Sequence, residues 1–254
     1  MELKFTVVTV VFNGAAVIGK TMRSVLTQTV SPYEYLIFDG GSTDGTWETV
    51  TAMAEEFAAA GIAFHAVREK DTGIYNAMNK GIRVAEGDFI SFLNAGDWYE
   101  PDALANIAAF YAEAPFDLTY GGLHYIQSDG SVRDKMSRLD RFPVSSRNWN
   151  HPSMFLRREI YQKYYFNEEF RAYADFDLYL KLRKDGTRIR VIDKVITNFV
   201  ADGVSTATGL KKVLARAGEK YRAYRHNGYS PVYWAEAYGW ELLKACYMKL
   251  HSGQ

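Results

Sequence analysis

Three aspartates stand just past short apolar runs. The run Phe5 to Phe12 (FTVVTVVF) closes on Asn13-Gly14, and Tyr35 to Phe38 closes on Asp39. The run Ile62 to Val67 leads into Arg68 to Asp71, and Asp88 to Leu93 stops at Asn94-Ala95-Gly96-Asp97. Carboxylates gathered in one place repel one another unless they hold a cation or serve different parts of a ligand. Asp97 is then the obvious oxygen ligand for magnesium or manganese. Aspartate is also a favoured cap, so each of the three equally suits a turn or helix start when taken alone; it is their convergence that favours a ligand. Between the second run and the next helix lies Asp39 to Thr46 (DGGSTDGT). Its glycines permit close approach of a phosphate or base, and Ser42, Thr43 or Asp44 can cap the helix that follows. The loop lacks the Gly-Lys-Ser/Thr ending of a P-loop. Asn13-Gly14-Ala15-Ala16 does not match G-x-G-x-x-G, which argues against a nicotinamide or flavin enzyme.

The elements that must position these groups alternate. Phe5 to Phe12 is short, β-branched and apolar throughout, the pattern of a parallel strand buried on both faces. A helix through Gln28 follows, then a strand to Asp39, a helical pattern to about Ala60, a strand over Ile62 to Val67, a helix over Ile74 to Val84 and a strand over Asp88 to Leu93. Strand and helix in turn predict a doubly wound α/β sheet, whose ligands bind outside the carboxyl ends of the strands. After a helix from Pro101 to about Glu113 the pattern becomes mixed. Strand-like pieces lie at Leu118 to Tyr125 and Val132 to Met136, with a hairpin turn at Asp129-Gly130, then a helix at Asp175 to Lys184 and strands at Ile189 to Ile192 and Val195 to Phe199.

The ordered segments TVVTVVFNG, FDGGSTDGT, EKDTGIYNAMNKGI and ISFLNAGDWYEPDAL together resemble family 2 glycosyltransferases of the GT-A fold, over roughly residues 3 to 206. The resemblance implies an α/β GT-A domain with a mixed sheet flanked by helices, and a C-terminal helical extension. It implies inverting transfer of a sugar from a nucleotide-diphosphate donor, a UDP-sugar, to a hydroxyl of a glycan or lipid-linked acceptor in polysaccharide or cell-surface glycan biosynthesis. Residues 1–206 would form the transferase domain, with 1–100 the donor half and 101–206 the acceptor and base half, followed by a tail, 207–254. By position, the resemblance assigns donor-nucleotide contacts to Thr9, Phe12, Asn13, Asp39, Asp71, Lys80, Asn94 and Ala95. Phe12 corresponds to an aromatic on the base, Asp39 and Asp71 to carboxylates at base and ribose, and Lys80 to a phosphate contact. Asn94 to Asp97 takes the place of the Asp-x-Asp motif, with Asn94 and Gly96 where acids are usual. Asp97 remains as the single carboxylate for a divalent cofactor, Mn2+ or Mg2+, which usually takes one or two protein carboxylates.

A second constellation is HPSMFLRRE followed by FNEEFRAYADFDLYLKL. Relative to the family's Glu-Asp-x-Asp helix start, Ala174 replaces the Glu and Asp175 keeps the general-base position. An attacking hydroxyl needs a carboxylate to take its proton, and a helix N-terminus keeps such a group ionised, although a plain cap fits there too. Asp177, two residues on, lies about 200° around the helix and points elsewhere. His151 suits either the diphosphate or a metal, or a loop histidine satisfied by backbone. Ser205, in FVADGVST, falls where the family places a segment that closes over the diphosphate. Arg157 and Arg158 read as surface charges.

Composition frames this reading. The chain has 254 residues, 30 basic and 30 acidic side chains, one cysteine and 48% hydrophobic content, as expected of a folded domain of ordinary core. The zero net charge argues against nucleic acid as a partner. Cys246 has no internal disulfide partner, MELKF has no basic n-region, and no apolar run approaches a spanning length. A cytoplasmic location is expected. The neutrality hides an asymmetry: residues 207–254 carry eight Lys or Arg against three Glu. With Tyr221, Tyr224, Tyr229, Tyr233, Trp234, Tyr238, Trp240 and Tyr247 nearby, that tail suits peripheral attachment to the inner face of the cytoplasmic membrane, or a helical hairpin packed on the body or on a second subunit of a homo-oligomer. A degenerate sugar-nucleotide-binding protein without turnover is the alternative that Asn94, Gly96 and Ala174 motivate. A nucleotidyltransferase would want a basic glycine-rich segment near the amino terminus, and a glycoside hydrolase would not need the nucleotide-like rim.

Overall fold

The computed structural model describes residues 3–127, 129–201 and 209–251, with side chains described as far as Leu243. The chain forms two compact units, Met1–Phe166 with Arg188–Val200, and Asn167–Thr187 with Ala201–Gln254. The division expected at 206 thus differs from the observed grouping, in which 167–187 goes with the C-terminal helices.

The first unit is built on one sheet. Its strands are β1 (Phe5–Val11), β2 (Glu34–Asp39), β3 (Ala63–Arg68), β4 (Phe89–Phe92), β5 (Trp98–Tyr99), β6 (Leu118–Ile126), β7 (Val132–Lys135), β8 (Met154–Arg157) and β9 (Ile189–Val200). Among the described residues the order is β3-β2-β1-β4-β8-β6-β9-β5, with β7 paired to β6. β1 lies between β2 and β4, parallel to both, and every residue of it is buried. β3 adds in parallel beyond β2, so these four strands run the same way. β8 is antiparallel to β4 and to β6, and β9 is parallel to β6 and antiparallel to β5. The alternating half and the mixed half therefore share one sheet.

The helices are α1 (Ala15–Leu26), α2 (Thr46–Ala52), α3 (Ala54–Ala59), α4 (Ile74–Val84), α5 (Ala103–Glu113) and α6 (Arg158–Tyr164). The single helix expected to about Ala60 is two, meeting at Met53. β9 is one strand where two were expected, with register shifts against β6 near Gly122. β5, β8 and α6 carry no periodic pattern long enough to show in the sequence. Phe5, Phe89, Phe116 and Phe155 meet edge-on or tilted in the core, and Thr9 donates to the Leu93 carbonyl and bonds the Tyr35 hydroxyl, pinning β1 to the segments on either side. Arg157 and Arg158, read as surface charges, are half-buried: Arg157 pairs with Asp117 and bonds Tyr111, and Arg158 donates to the Gly87 carbonyl.

The second unit packs α7 (Ala174–Lys184), α8 (Leu210–His226) and α9 (Tyr233–His251). Val213, Arg216, Ala217, Lys220, Ala223 and Tyr224 recur at three and four residues along α8 and are all buried. That stripe carries two cations, so both need partners. Lys220 is fully buried, with Nζ 2.8 Å from Glu236, and Glu236 also accepts from the Tyr224 hydroxyl at 2.8 Å. Arg216 Nε lies 3.3 Å from Glu241. Tyr224 meets Phe176 of α7 edge-on at 5.4 Å and Tyr233 of α9 at 4.4 Å. No helix among the described residues is long and apolar enough to cross a membrane. Breaking a buried pair strands one charge, so Lys220→Ala should destabilise the protein by about 3–5 kcal/mol, whereas replacing Lys220 and Glu236 together by methionine should cost far less. Urea unfolding of the two variants checks this; equal losses would count against a buried pair.

Candidate active site

The site assembles where β1, β2, β3 and β4 end. Phe12, just past β1, holds its ring two-thirds exposed. Asn13 takes a positive φ of 50°, a conformation Asn tolerates, which turns the chain back toward the loop after β2. Its N–H donates to Ser42 Oγ at 2.7 Å and its Oδ1 accepts the Thr43 N–H at 2.9 Å. Gly14 N–H donates to Thr46 and Ala15 N–H to Asp44, so DGGSTDGT is fastened along the β1–α1 turn. The Thr46 hydroxyl and the Ala15 amide hold the Asp44 carboxyl below its usual range.

Asp39 is buried. Its Oδ1 accepts the Ser42 N–H at 2.9 Å and the Ser42 hydroxyl at 2.5 Å, while Oδ2 lies 3.6 Å from Arg68 Nε and takes no hydrogen bond. A Cβ on Gly40 would sit 2.6 Å from Asp71 Oδ2 and 3.4 Å from the Phe12 ring, so the absent side chain leaves Phe12, Gly40 and Asp71 side by side. Asp71 Oδ1 accepts the Gly73 N–H. Lys80, expected at a phosphate, is instead engaged locally: Nζ lies 2.8 Å from Glu69 and donates to the Lys70 carbonyl. It ties down the loop that carries Asp71. Thr9, expected at the donor, is wholly buried with its hydroxyl committed to Tyr35 and Leu93, so it supports the strand from within.

The turn after β4 is pinned from α1. Thr21 Oγ1 accepts the Gly96 N–H at 3.0 Å and donates to the Asp97 carbonyl at 2.7 Å. Gly96 has φ 101°, which suits glycine and explains why no acid stands there. Ala95 abuts the β1–α1 turn, within 3.6 Å of where a Gly14 Cβ would lie. The Asp97 carboxylate is 5% exposed, and its Oδ1 accepts the Val200 N–H at 3.0 Å from the end of β9. Asn94 Oδ1 is buried without a hydrogen-bond partner. Among the described residues no three His, Cys, Asp or Glu gather to hold a metal alone. The turn therefore offers one carboxylate and one unsatisfied amide oxygen, a donor set that fits a hard cation completing its shell from a diphosphate and water. His151 lies in a short turn, 6.0 Å from the Phe92 ring and 5.7 Å from Phe166, a buried aromatic setting. Ser205 lies outside the described residues.

In the second unit Asp175 sits half-buried in the first turn of α7, with Oδ1 accepting the Phe176 N–H at 2.8 Å. Asp177 is buried, and its Oδ1 takes Asn227 Nδ2 and faces His226 Nδ1, each at 2.8 Å; burial pushes its carboxyl up. The two aspartates have different surroundings, as the 200° separation predicts. Sequence reasoning missed Thr21, Arg68 and the Val200 amide, because nothing in a local pattern marks a residue that acts from another element.

Residues 6–182 match the family model described as Glycosyl transferase family 2. The chain is a family 2 glycosyltransferase. It is 34% identical over 180 residues to a PGL/p-HBAD biosynthesis glycosyltransferase of Mycobacterium bovis, covering 70% of this chain and 68% of that protein. A chondroitin synthase of Escherichia coli is 29% identical over 205 residues, which span 77% of this chain but only 29% of the larger protein. Among solved structures, residues 1–349 of S. aureus TarS in complex with UDP superpose with TM-score 0.66 at 19% identity, covering 94% of this chain and 71% of that one. A mannosyltransferase from Pyrobaculum calidifontis, PcManGT, in complex with GDP-Man and Mn2+, gives TM-score 0.64 at 20% identity, covering 97% and 74%. The glycosyltransferase therefore has the GT-A fold. Because Thr21 ties Gly96 and Asp97 to α1 by one hydroxyl, Thr21→Val should cost about 1–3 kcal/mol. Chemical denaturation reads this, and an unchanged midpoint would mean that the turn holds itself.

Proposed function

We propose that this glycosyltransferase moves a sugar from a UDP-sugar to a hydroxyl of a glycan or lipid-linked acceptor, inverting the anomeric centre, in the synthesis of a polysaccharide or cell-surface glycan. The observation that carries the reading is the rim where the exposed Phe12 ring, the Gly40 gap and Asp71 lie together beside the buried Asp39 carboxylate. An aromatic face and two carboxylates suit the base and ribose of a nucleoside, and the missing Cβ leaves the backbone approachable. UDP as the nucleotide is supported by TarS, whose structures include complexes with UDP and UDP-GlcNAc.

The proton of the acceptor hydroxyl goes to Asp175. It sits in the first turn of α7, at the positive end of the helix dipole, while the buried, hydrogen-bonded Asp177 serves the helix instead. Attack of the deprotonating hydroxyl on the anomeric carbon forms the new glycosidic bond as the bond to the diphosphate breaks, so one displacement inverts the centre. Three hydrogen bonds join the β1–α1 turn to the DGGSTDGT loop, which keeps the donor side preorganised. Asp97, with Asn94, would hold a divalent cation, Mn2+ or Mg2+, which when bound neutralises charge on the departing diphosphate. The retained carboxylates at 97 and 175 matter more here than the departures at 94, 96 and 174.

Two experiments test this. Asp175→Asn should abolish transfer while leaving UDP affinity unchanged, and Asp97→Ala should weaken UDP binding mainly when Mn2+ is present. Wild-type turnover in the first, or UDP affinity in the native enzyme indifferent to Mn2+, would each sink its assignment. A third experiment concerns location. Leu210 and Leu214 of α8 are exposed beside Lys211 and Lys212 in the chain, and Val232 and Trp234 are exposed where α9 begins, apolar and cationic groups suited to an anionic lipid surface at the inner face of the cytoplasmic membrane. Co-sedimentation with phosphatidylglycerol vesicles at low salt should capture the protein, and a Leu210→Glu/Leu214→Glu variant should escape; no capture of the native protein removes the membrane from the proposal.

A further inference from the structure

We propose that the C-terminal helices hold the catalytic aspartate in place, with Glu219 and Glu241 acting as positioning residues for Asp175. The inference rests on the assignment of Asp175 as base and extends it.

A helix start leaves its leading N–H groups without intrahelical acceptors, and the cap position of α7, Tyr173, supplies no side-chain hydrogen bond of its own. The backbone just ahead of that cap is anchored from α8 instead. The Glu219 carboxylate receives the Arg171 N–H at 3.1 Å and the Ala172 N–H at 2.8 Å, fixing the strand of backbone that turns into the helix. The Tyr173 hydroxyl then donates to Glu241 Oε1 of α9 at 2.9 Å, and Glu241, 4% exposed, is itself held at Oε2 by Arg216. Burial and the adjoining Glu241 carboxylate hold the Tyr173 phenol protonated, so it stays a donor. Three consecutive residues, Arg171 to Tyr173, are thus bonded to two carboxylates of the tail, and Asp175 follows two positions later.

Neither glutamate serves to neutralise a surface. Glu219 spends both oxygens on backbone amides, and Glu241 divides its own between a phenol and a guanidinium. Hydrogen bonds to an ionised acceptor are short and directional, so they set position more sharply than apolar packing does. Displacement of a reacting group by about 1 Å can cost on the order of 100-fold in rate. The tail is then part of the catalytic apparatus, whatever surface it also meets.

The test uses the full chain and the UDP-sugar and glycoside acceptor on which the native enzyme releases UDP fastest. Glu219→Ala and Tyr173→Phe should lower kcat, the former by roughly 10- to 100-fold, with donor KM and UDP affinity within about twofold of the native values. Glu219→Gln, which keeps an oxygen acceptor for one amide, should recover part of the loss. Hydrogen exchange should show faster exchange at Phe176 to Tyr179 in both damaging variants. Native kcat in Glu219→Ala and Tyr173→Phe, alongside an inactive Asp175→Asn, would overturn the positioning role and leave the base intact. Full activity in Asp175→Asn would instead overturn the base assignment. A fall in kcat matched by lost UDP affinity would also overturn the proposal, since it reports a general loosening; if Glu219→Ala does not fold, Tyr173→Phe, which deletes one hydroxyl, decides alone.

Discussion

Parallel pairing of β1 with the strands on both sides is the constraint on which the strand-end rim of this glycosyltransferase depends. Strands that pair in parallel finish at the same edge, so Phe12, Asp39, Asp71 and Asn94 to Asp97 are delivered to one rim by hydrogen bonding alone. Burial on both faces makes the register costly to change, because a slip of one residue would reverse every side chain of a strand that has no solvent face. The Thr9 hydroxyl adds a polar lock across the same strand, reaching Tyr35 on one side and the Leu93 carbonyl on the other.

On that frame the loops are stabilised by cross-bonding as well as by hydrogen bonds of their own. The β1–α1 turn and the DGGSTDGT loop exchange hydrogen bonds in both directions, and Thr21 closes the turn that presents Asp97. Asp97 in turn takes an amide from the far end of β9, so the mixed half of the sheet contributes to the same carboxylate. Rigid backbone around a few polar groups is what a transferase needs if its donor is to lose little entropy in reaching a reactive pose.

The charge asymmetry acquires a different meaning in the second unit. The basic excess of residues 207–254 looked like a surface property, yet Arg216 and Lys220 are enclosed and matched by Glu241 and Glu236. All three tail glutamates are spent inside the unit, one of them on the backbone ahead of α7. Lys211 and Lys212 stay exposed. Two tail aromatics likewise turn inward: Tyr224 packs with Phe176 and with Tyr233, while Trp234 stays exposed.

Local pattern was enough for the alternating strands, for α4 over Ile74–Val84, and for the placing of aspartates past strand ends, because these depend on short apolar runs and the polar residues that stop them. The family and the presence of a carboxylate at 97 and at 175 were likewise legible in the order of the motifs. What each side chain does with its hydrogen bonds was not. Lys80 turned to Glu69, Thr9 turned into the core, and His151 settled among aromatic rings, each by neighbours far away or on another element. β5 and β8 escaped notice because two to four residues hold no period, and they exist through the strands that flank them. The sequence by itself determined which groups are available and where strands end, since those follow from residue type and spacing. Only tertiary structure decided which of those groups remain open to a ligand, because a hydrogen bond or ion pair is settled by whatever element is packed against it.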